Sequence, residues 1–118
     1  MKANRRTQGT AGEDLAVQYL RKHGFKILDR NYRSYRGEID IVAKEKKDYV
    51  FVEVKARRSS FFGSPEEAVT PEKEIHIRSA AEEYCVKHDI EDRPCRFDVV
   101  AIEGEGEKLQ IRHLRDVF

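Results

Sequence analysis

Three charged side chains interrupt the apolar pattern of residues 37–57, GEIDIVAKEKKDYVFVEVKAR: Asp40, Glu53 and Lys55. Mg²⁺ and Mn²⁺ prefer oxygen ligands, and proteins commonly hold them with one or two carboxylates, water and substrate phosphate. A lysine on the same side of a strand orients an attacking water or stabilises the charge that develops on phosphorus. If the fold brings these three side chains together, they predict metal-assisted hydrolysis of a phosphate ester.

Two strands joined by a lysine-rich turn would bring them together. A reversal centred on Lys46 and Lys47 places Asp40 opposite Glu53. A shift of two residues preserves both faces and places Asp40 opposite Lys55, so the sequence leaves these two registers open. Alternation predicts that one face of the hairpin carries only apolar residues, namely Ile39, Ile41, Ala43, Val50, Val52 and Val54, and that the other carries Glu38, Asp40, Val42, Phe51, Glu53 and Lys55.

A structural interpretation of the same charges is a cross-strand ion pair on a solvated sheet face, worth about 0.2–1 kcal/mol. Two carboxylates directly opposite each other destabilise a hairpin unless a cation lies between them. Phe51 and Val42 also indicate that this face is at least partly covered. The catalytic and the structural interpretations both remain open at this point.

The rest of the chain predicts an α/β domain. Thr10 and Glu13 match a capping box for a helix over about residues 10–23, and Thr70 followed by Pro71 begins a second helix that reaches about His88. Strands are predicted around these helices, at FKILDRNYR, GEIDIVA, VFVEVKAR, RFDVVAIE and KLQIRHL. The connection between residues 49 and 103 is long enough for a parallel pairing, whereas the earlier strands are joined tightly. The predicted order is helix, three strands, helix, two strands around a mixed sheet, in one domain over residues 1–118 with a basic arm at 1–9.

Composition excludes several classes of protein. Hydrophobic residues make up 39% and charged residues 38% of the 118 residues, a balance typical of a globular domain rather than a disordered one. No stretch is long and apolar enough for a membrane span, and MKANRRTQGT lacks the apolar core of a signal peptide. The two cysteines have no CxxC spacing. We therefore expect a cytoplasmic protein without a membrane partner.

Charge is distributed locally rather than globally. The formal net charge is only +1, so composition gives no overall signal for nucleic-acid binding. Arg33 and Arg36 nevertheless precede the hairpin, and Arg57 and Arg58 follow it. These arginines are candidates for contacts with a phosphate backbone, which position a nucleic acid without reading its sequence.

The order of elements, together with Asp40 and the string EVK at 53–55, resembles the catalytic core of the PD-(D/E)xK nuclease superfamily. That superfamily includes restriction endonucleases and archaeal Holliday junction resolvases. Nearly the whole chain is similar to the YraN family of bacterial predicted endonucleases. The strings that carry this resemblance are GxxGEDLAVQYL at 9–20, RNYR at 30–33, GEIDIVA at 37–43, VFVEVKAR at 50–57, FGSPEEAVTPEK at 62–73 and RFDVVAI at 96–102.

The resemblance implies a restriction endonuclease-like fold and a role for individual residues. Asp40 and Glu53 would bind Mg²⁺ or Mn²⁺, and Lys55 would position the attacking water. Glu13 would complete the metal site, with a reciprocal cap for Thr10 as its structural alternative. Lys73 matches an auxiliary polar position on the second helix and is a further candidate for contacting DNA.

The resemblance thus implies a DNA endonuclease, acting on branched or otherwise structured DNA. Because the chain is nearly neutral, either its affinity for DNA is modest or a homodimer supplies a continuous surface. Two other functions remain open, a non-catalytic nucleic-acid-binding module on a nuclease fold and a protein-interaction domain. Asp98, within RFDVV, is expected to anchor strand edges rather than to bind metal.

Overall fold

The computed structural model describes residues 2–57 and 69–118, and for residues 2–10 it describes the backbone alone. Two helices and five strands follow the predicted order. They are α1 (Lys2–Lys22), β1 (Lys26–Arg33), β2 (Glu38–Glu45), β3 (Asp48–Arg57), α2 (Pro71–Lys87), β4 (Cys95–Glu103) and β5 (Gln110–Leu114), with a 3₁₀ turn at Gly106–Lys108 before β5. The predicted α/β class and element order are confirmed.

The five strands form one mixed sheet in the order β1-β2-β3-β4-β5. Only β3 and β4 pair in parallel, as the long connection through α2 predicts. In the β2–β3 hairpin Ile41 pairs with Val52 and Glu45 with Asp48, which confirms the reversal centred on Lys46 and Lys47. Lys46 has a φ of 55°, the left-handed conformation that tight hairpin turns require.

Each face of the sheet carries its own apolar core. One core packs beneath α1 and contains Leu20, Ile41, Val50, Val52 and Val100 among others. The second packs beneath α2 and contains Val42, Phe51, Ile77, Tyr84 and Phe97 among others. A helix therefore covers each face, which is why the strands at the centre are apolar on both sides.

Ile39 departs from the predicted pattern. Strict alternation places it with Ile41, yet it packs with Val42 and Phe51 in the core beneath α2. The period of two is therefore interrupted between Ile39 and Ile41, at Asp40. The prediction for Ile39 is wrong because alternation presumes a regular strand through this position.

The first helix begins earlier than the sequence predicts. Its backbone is helical from Lys2, so the predicted arm at 1–9 is largely part of α1, and Thr10 lies inside the helix rather than at its start. The residues before Thr10 include Ala3, Arg5 and Arg6, which are good helix formers and extend the helix past the capping pattern. The cap predicted for α2 is confirmed, because the Thr70 side chain accepts a hydrogen bond from the backbone N–H of Lys73. No helix in the described part of the chain is long and apolar enough to cross a membrane.

Candidate active site

The site lies where β2 and β3 separate. Their paired residues extend to Ile41 and Val52, whereas β3 stays paired with β4 as far as Arg57. Just beyond the last β2–β3 pair, Oδ2 of Asp40 accepts a hydrogen bond of 2.8 Å from the backbone N–H of Val54. A carboxylate thus replaces the backbone pairing at this point and is held in one place by β3.

Asp40 is in an environment that disfavours its negative charge. Burial is the largest effect and the nearby Glu53 is the second, and together with Glu13 and Glu38 they raise the pKa of Asp40 to about 7, although the Val54 hydrogen bond lowers it. Like charges gathered around a buried carboxylate favour the binding of a proton or another cation. The environment of Asp40 is therefore that of a cation ligand or a proton acceptor.

The charged neighbours of Asp40 form a compact cluster of opposite signs. Nζ of Lys55 lies 3.0 Å from Oε2 of Glu53, and the two side chains are only 18% and 13% exposed. Burial lowers the pKa of Lys55, but the ion pair with Glu53 and the nearby charge of Asp40 outweigh it and raise the pKa above its ordinary value. The proximity of the Lys55 cation, assisted by burial, lowers the pKa of Lys73. Lys55 therefore holds its positive charge more strongly than Lys73 does.

A cavity of about 270 Å³ lies beside this cluster between β2, β3 and α2, and its lining residues are Gly37, Glu38, Asp40, Glu53, Lys73, His76 and Ile77. The helix approaches β2 closely at Gly37, where a Cβ atom would lie 2.8 Å from the carbonyl oxygen of His76. A side chain at this position would clash with the helix backbone. Gly37 therefore lets α2 carry Lys73 to the carboxylates.

Glu13 approaches the site from α1. Its Oε1 accepts a hydrogen bond of 3.0 Å from Nδ2 of Asn31 and lies 3.6 Å from the Arg30 guanidinium. The helix passes close to β3 here, since a Cβ at Gly12 would lie 3.3 Å from Cβ of Ala56. A reciprocal cap for Thr10 is ruled out because the helix already runs through that residue. Glu13 instead faces the sheet and contributes to the charge around Asp40.

Comparison with known proteins places this geometry in a family. The model of the uncharacterised protein family UPF0102 matches residues 12–102, a range that contains Glu13, Asp40, Glu53, Lys55 and Lys73. The chain belongs to the UPF0102 family. This is the YraN family that the sequence resembles, so that prediction is confirmed.

UPF0102 proteins from several bacteria match over almost their full length. The protein from Geobacter metallireducens is 45% identical over 118 residues, which cover 100% of this chain and 97% of the relative. The protein from Syntrophomonas wolfei is 48% identical over 113 residues, or 96% of this chain and 98% of the relative. A Rhodococcus jostii UPF0102 protein is 50% identical over 111 residues, covering 93% and 94% respectively. The family is uncharacterised, so membership assigns no activity to this chain, and the chemistry has to be inferred from the site.

The basic residues predicted to contact DNA lie at different distances from the cavity of this UPF0102 chain. Lys73 lines it. Arg33 is 80% exposed and 3.9 Å from the Glu38 carboxylate, which lines it too. Arg57 is half-buried at the end of β3, and its buried Nε has no hydrogen-bond partner among the described residues. Arg36 lies in the turn between β1 and β2, and Arg58 lies outside the described residues.

The sequence predicts Glu13 and Lys73 as residues of the site but misses other residues of α2 and β1 that lie there. His76 and Ile77 line the cavity, and their spacing of three and four residues from Lys73 on one helix is a signal that was available. Asn31, which holds Glu13, has a φ of 55° within β1. No sequence pattern predicts the contact between Asn31 and Glu13, because the two residues are 18 positions apart.

The acidic residues fit a hard divalent cation through their chemistry rather than through a complete ligand set. Asp40 and Glu53 offer carboxylate oxygens at one cavity, and Mg²⁺ needs only one or two such groups when water and phosphate supply the rest. Within residues 2–57 and 69–118, no group of three or more His, Cys, Asp or Glu side chains is arranged to hold a metal. This UPF0102 site thus suits a cation shared with a substrate better than a closed structural metal site.

Proposed function

We propose that this UPF0102 protein is a metal-dependent endonuclease that hydrolyses phosphodiester bonds in DNA, with branched or otherwise structured DNA as its substrate. The observation that carries the proposal is the partly buried Asp40 carboxylate, which lines one cavity with Glu53 and Lys73 while Lys55 pairs with Glu53 beside it. Two acids and a lysine around a small open cavity are the groups that hydrolysis of a phosphodiester needs. A surface salt bridge does not require burial of a second carboxylate beside the pair.

Asp40 and Glu53 would hold Mg²⁺ or Mn²⁺, with Glu13 as a further oxygen donor from α1. When bound, such an ion supplies Lewis-acid polarisation of the phosphate and lowers the pKa of water. The protein fixes Asp40 in advance through its hydrogen bond to the Val54 backbone. That preorganisation means that little rearrangement of this carboxylate accompanies substrate binding.

The two lysines would divide the remaining work. Lys55 keeps its positive charge because the neighbouring Glu53 carboxylate raises its pKa, so it can orient the attacking water and stabilise negative charge on the phosphate. Lys73 reaches the same cavity from α2 and provides a second polar contact for the substrate. Arg33, Arg36, Arg57 and Arg58 would hold the DNA backbone on either side, and a homodimer would extend this surface.

The first experiment measures cleavage of labelled branched, nicked, single-stranded and linear duplex DNA with Mg²⁺ or Mn²⁺. Asp40→Asn and Lys55→Ala should each lower the cleavage rate at least about 100-fold, because each removes a charge from the reacting centre. Asp92→Asn and Lys47→Ala are matched controls on exposed residues outside the cavity lining. They should cleave like the native chain.

A non-catalytic DNA-binding module is the second candidate. It is favoured by the incomplete ligand set, and by Lys55 already neutralising Glu53 at 3.0 Å. If the native chain binds DNA in a salt-dependent way but cuts none of the four substrates with either metal, this candidate replaces the endonuclease. If cleavage persists in Asp40→Asn, the activity belongs to another site or to a contaminant.

A further inference from the structure

The turn between β1 and β2 holds an aromatic ring out in solvent. Tyr35 is 95% exposed, the largest exposure among the exposed large hydrophobic residues of the described chain. The turn around it is fixed by Ser34, whose backbone N–H donates to the Gly37 carbonyl at 2.8 Å and whose Oγ accepts from the backbone N–H groups of Arg36 and Gly37. The position of Tyr35 is therefore set by a hydrogen-bonded turn.

An open cleft of about 800 Å³ separates this turn from α2. Tyr35 and Arg36 lie on the turn side, and Ser34, Ser79, Glu82, Glu83, Val86 and Lys87 complete its lining. Val86 is 56% exposed, so both sides of the cleft offer apolar surface. Glu83 is held in place, because Oε2 accepts a hydrogen bond of 2.8 Å from the Tyr32 hydroxyl.

The chemistry of this lining matches a nucleobase better than a phosphate. An unpaired base stacks on an aromatic ring whatever its sequence, and Tyr35 supplies such a ring. Adenine, cytosine and guanine carry amino donors, which Glu82 and Glu83 can accept. The same carboxylates repel a phosphate from inside the cleft, whereas Arg36 and Lys87 can neutralise the phosphates of the nucleotide that carries the base.

The cleft and the candidate active site share one helix and one turn. Helix α2 supplies His76 to the active-site cavity and Glu83 to the cleft. These residues are separated by about 10 Å along the helix axis at 1.5 Å per residue, which a DNA strand spans in about three nucleotides at the duplex rise and in fewer when it is unpaired and extended. Gly37 and Glu38, which line the cavity, directly follow Tyr35 and Arg36. A single strand that crosses the active site can therefore reach the cleft.

We propose that the cleft between Tyr35 and α2 binds the base of an unpaired nucleotide, within about three nucleotides of the phosphate at the candidate active site. This inference rests on the proposed function for its substrate, DNA. It assigns to Tyr35 the recognition of branched or flapped DNA over continuous duplex. Amino-bearing bases should bind the cleft better than thymine.

The test measures DNA binding without cleavage, in buffer with EDTA. The probes are a flapped DNA and a continuous duplex, with 2-aminopurine placed in turn at each of the first five unpaired positions of the flap. For the native chain, quenching of the probe should peak at one position. Tyr35→Ala should abolish that quenching and weaken flap binding about 10-fold, with duplex binding unchanged. Tyr35→Phe keeps the ring and should match the native chain within about twofold.

Other outcomes overturn the inference. Equal flap binding and quenching by the native chain and Tyr35→Ala would show that the ring does not stack on a base. An equal loss for flap and duplex would make Tyr35 a general backbone contact, and absence of DNA binding would remove the ligand altogether. Cleavage that depends on Asp40 but not on Tyr35 would support the endonuclease proposal and reject the proposal for the cleft. Quenching at one position without any cleavage by the native chain would support the proposal for the cleft and reject the endonuclease proposal.

Discussion

At the scale of single residues, Asp40 is a carboxylate whose surroundings disfavour its negative charge and yet fix its position. It is partly buried beside Glu53, which penalises its charge, yet its Oδ2 is fixed by the Val54 backbone N–H. A purely structural residue at this position would be more stable as a neutral amide. Retaining a carboxylate here costs stability in the absence of a cation, and that cost can be measured.

We predict that Asp40→Asn stabilises the metal-free protein above neutral pH. The folded protein raises the pKa of Asp40 from its ordinary 3.8 to about 7, so between these values the folded chain holds a proton that the unfolded chain has released. Native stability therefore falls as the pH rises through this window, and the full cost remains above pH 7. Asparagine avoids it and keeps an acceptor for Val54. The gain should be at most about 4 kcal/mol at pH 8 and should fall to about 1 kcal/mol or less at pH 4.5.

Urea denaturation in EDTA at pH 4.5, 6 and 8 checks this prediction, with the exposed Asp92→Asn as the control. Adding Mg²⁺ should stabilise the native chain in proportion to occupancy and should stabilise Asp40→Asn much less. A stability difference between native and Asp40→Asn that stays constant across the three pH values would show that Asp40 titrates normally.

At the scale of elements, the sequence predicted the strands correctly and narrowed the β2–β3 pairing to two registers, because the apolar face of a strand excludes shifts of one residue. It failed where a tertiary contact overrides periodicity. Ile39 changes face beside Asp40, whose side chain bonds to the backbone of β3. The approach of α2 to the site was equally hidden, because it depends on a contact between Gly37 and the backbone of His76 that no local pattern encodes.

We predict that a methyl group at Gly37 separates α2 from β2. Its Cβ would lie 2.8 Å from the His76 carbonyl oxygen, a distance that forces backbone movement. Gly37 is not among the residues with a positive φ, so the cost of Gly37→Ala is steric, about 1–3 kcal/mol. Lys73 lies on α2, so this movement should displace it from the carboxylates and DNA cleavage should also fall.

Gly12→Ala is the matched control, because it adds the same methyl group next to a side-chain atom rather than next to backbone. Its Cβ meets only the Cβ of Ala56, at 3.3 Å, and alanine inside a helix gains up to about 1 kcal/mol over glycine. Thermal denaturation should therefore show a lower Tm for Gly37→Ala and an unchanged or higher Tm for Gly12→Ala. Equal losses in the two variants would mean that the close contact at His76 has no special role.

At the scale of the whole molecule, a buried ionic network joins the end of the chain to the central hairpin. Asp98, whose side chain is fully buried, accepts hydrogen bonds from Arg96, His113 and the backbone N–H of Asp116. Arg96 also reaches Glu45 at the β2–β3 turn, and Arg115 does the same. The expectation that Asp98 anchors strand edges is confirmed, although its partners, which include residues near the carboxyl end of the chain, were not foreseeable from RFDVV alone.

We predict that this network makes the fold sensitive to acid. Burial alone would raise the pKa of Asp98, but hydrogen bonds from His113 and Arg96 outweigh it and lower the pKa. The hydrogen bond from Arg115 is the main reason that the pKa of Glu45 falls to about 2. For both acids the stabilisation is present above their unfolded pKa values near 4 and is lost as the pH falls through the lower folded values. Native stability should therefore decrease steeply between about pH 4.5 and pH 2.

Asp98→Asn tests the network, and Asp48→Asn is its control because both carboxylates pair with Arg96. Removing a buried charge from a paired cluster costs about 3 kcal/mol at pH 7. Asp48→Asn removes a side chain that also pairs with Arg96, at 3.2 Å, but is 44% exposed, and it should cost less than about 1 kcal/mol. Because the native chain loses the contribution of Asp98 in acid, the urea-denaturation gap between native and Asp98→Asn should narrow from pH 7 to pH 2.5. A gap that persists at pH 2.5 would mean that the loss arises from packing around residue 98 rather than from its charge, and the acid sensitivity would then have to come from elsewhere in the molecule.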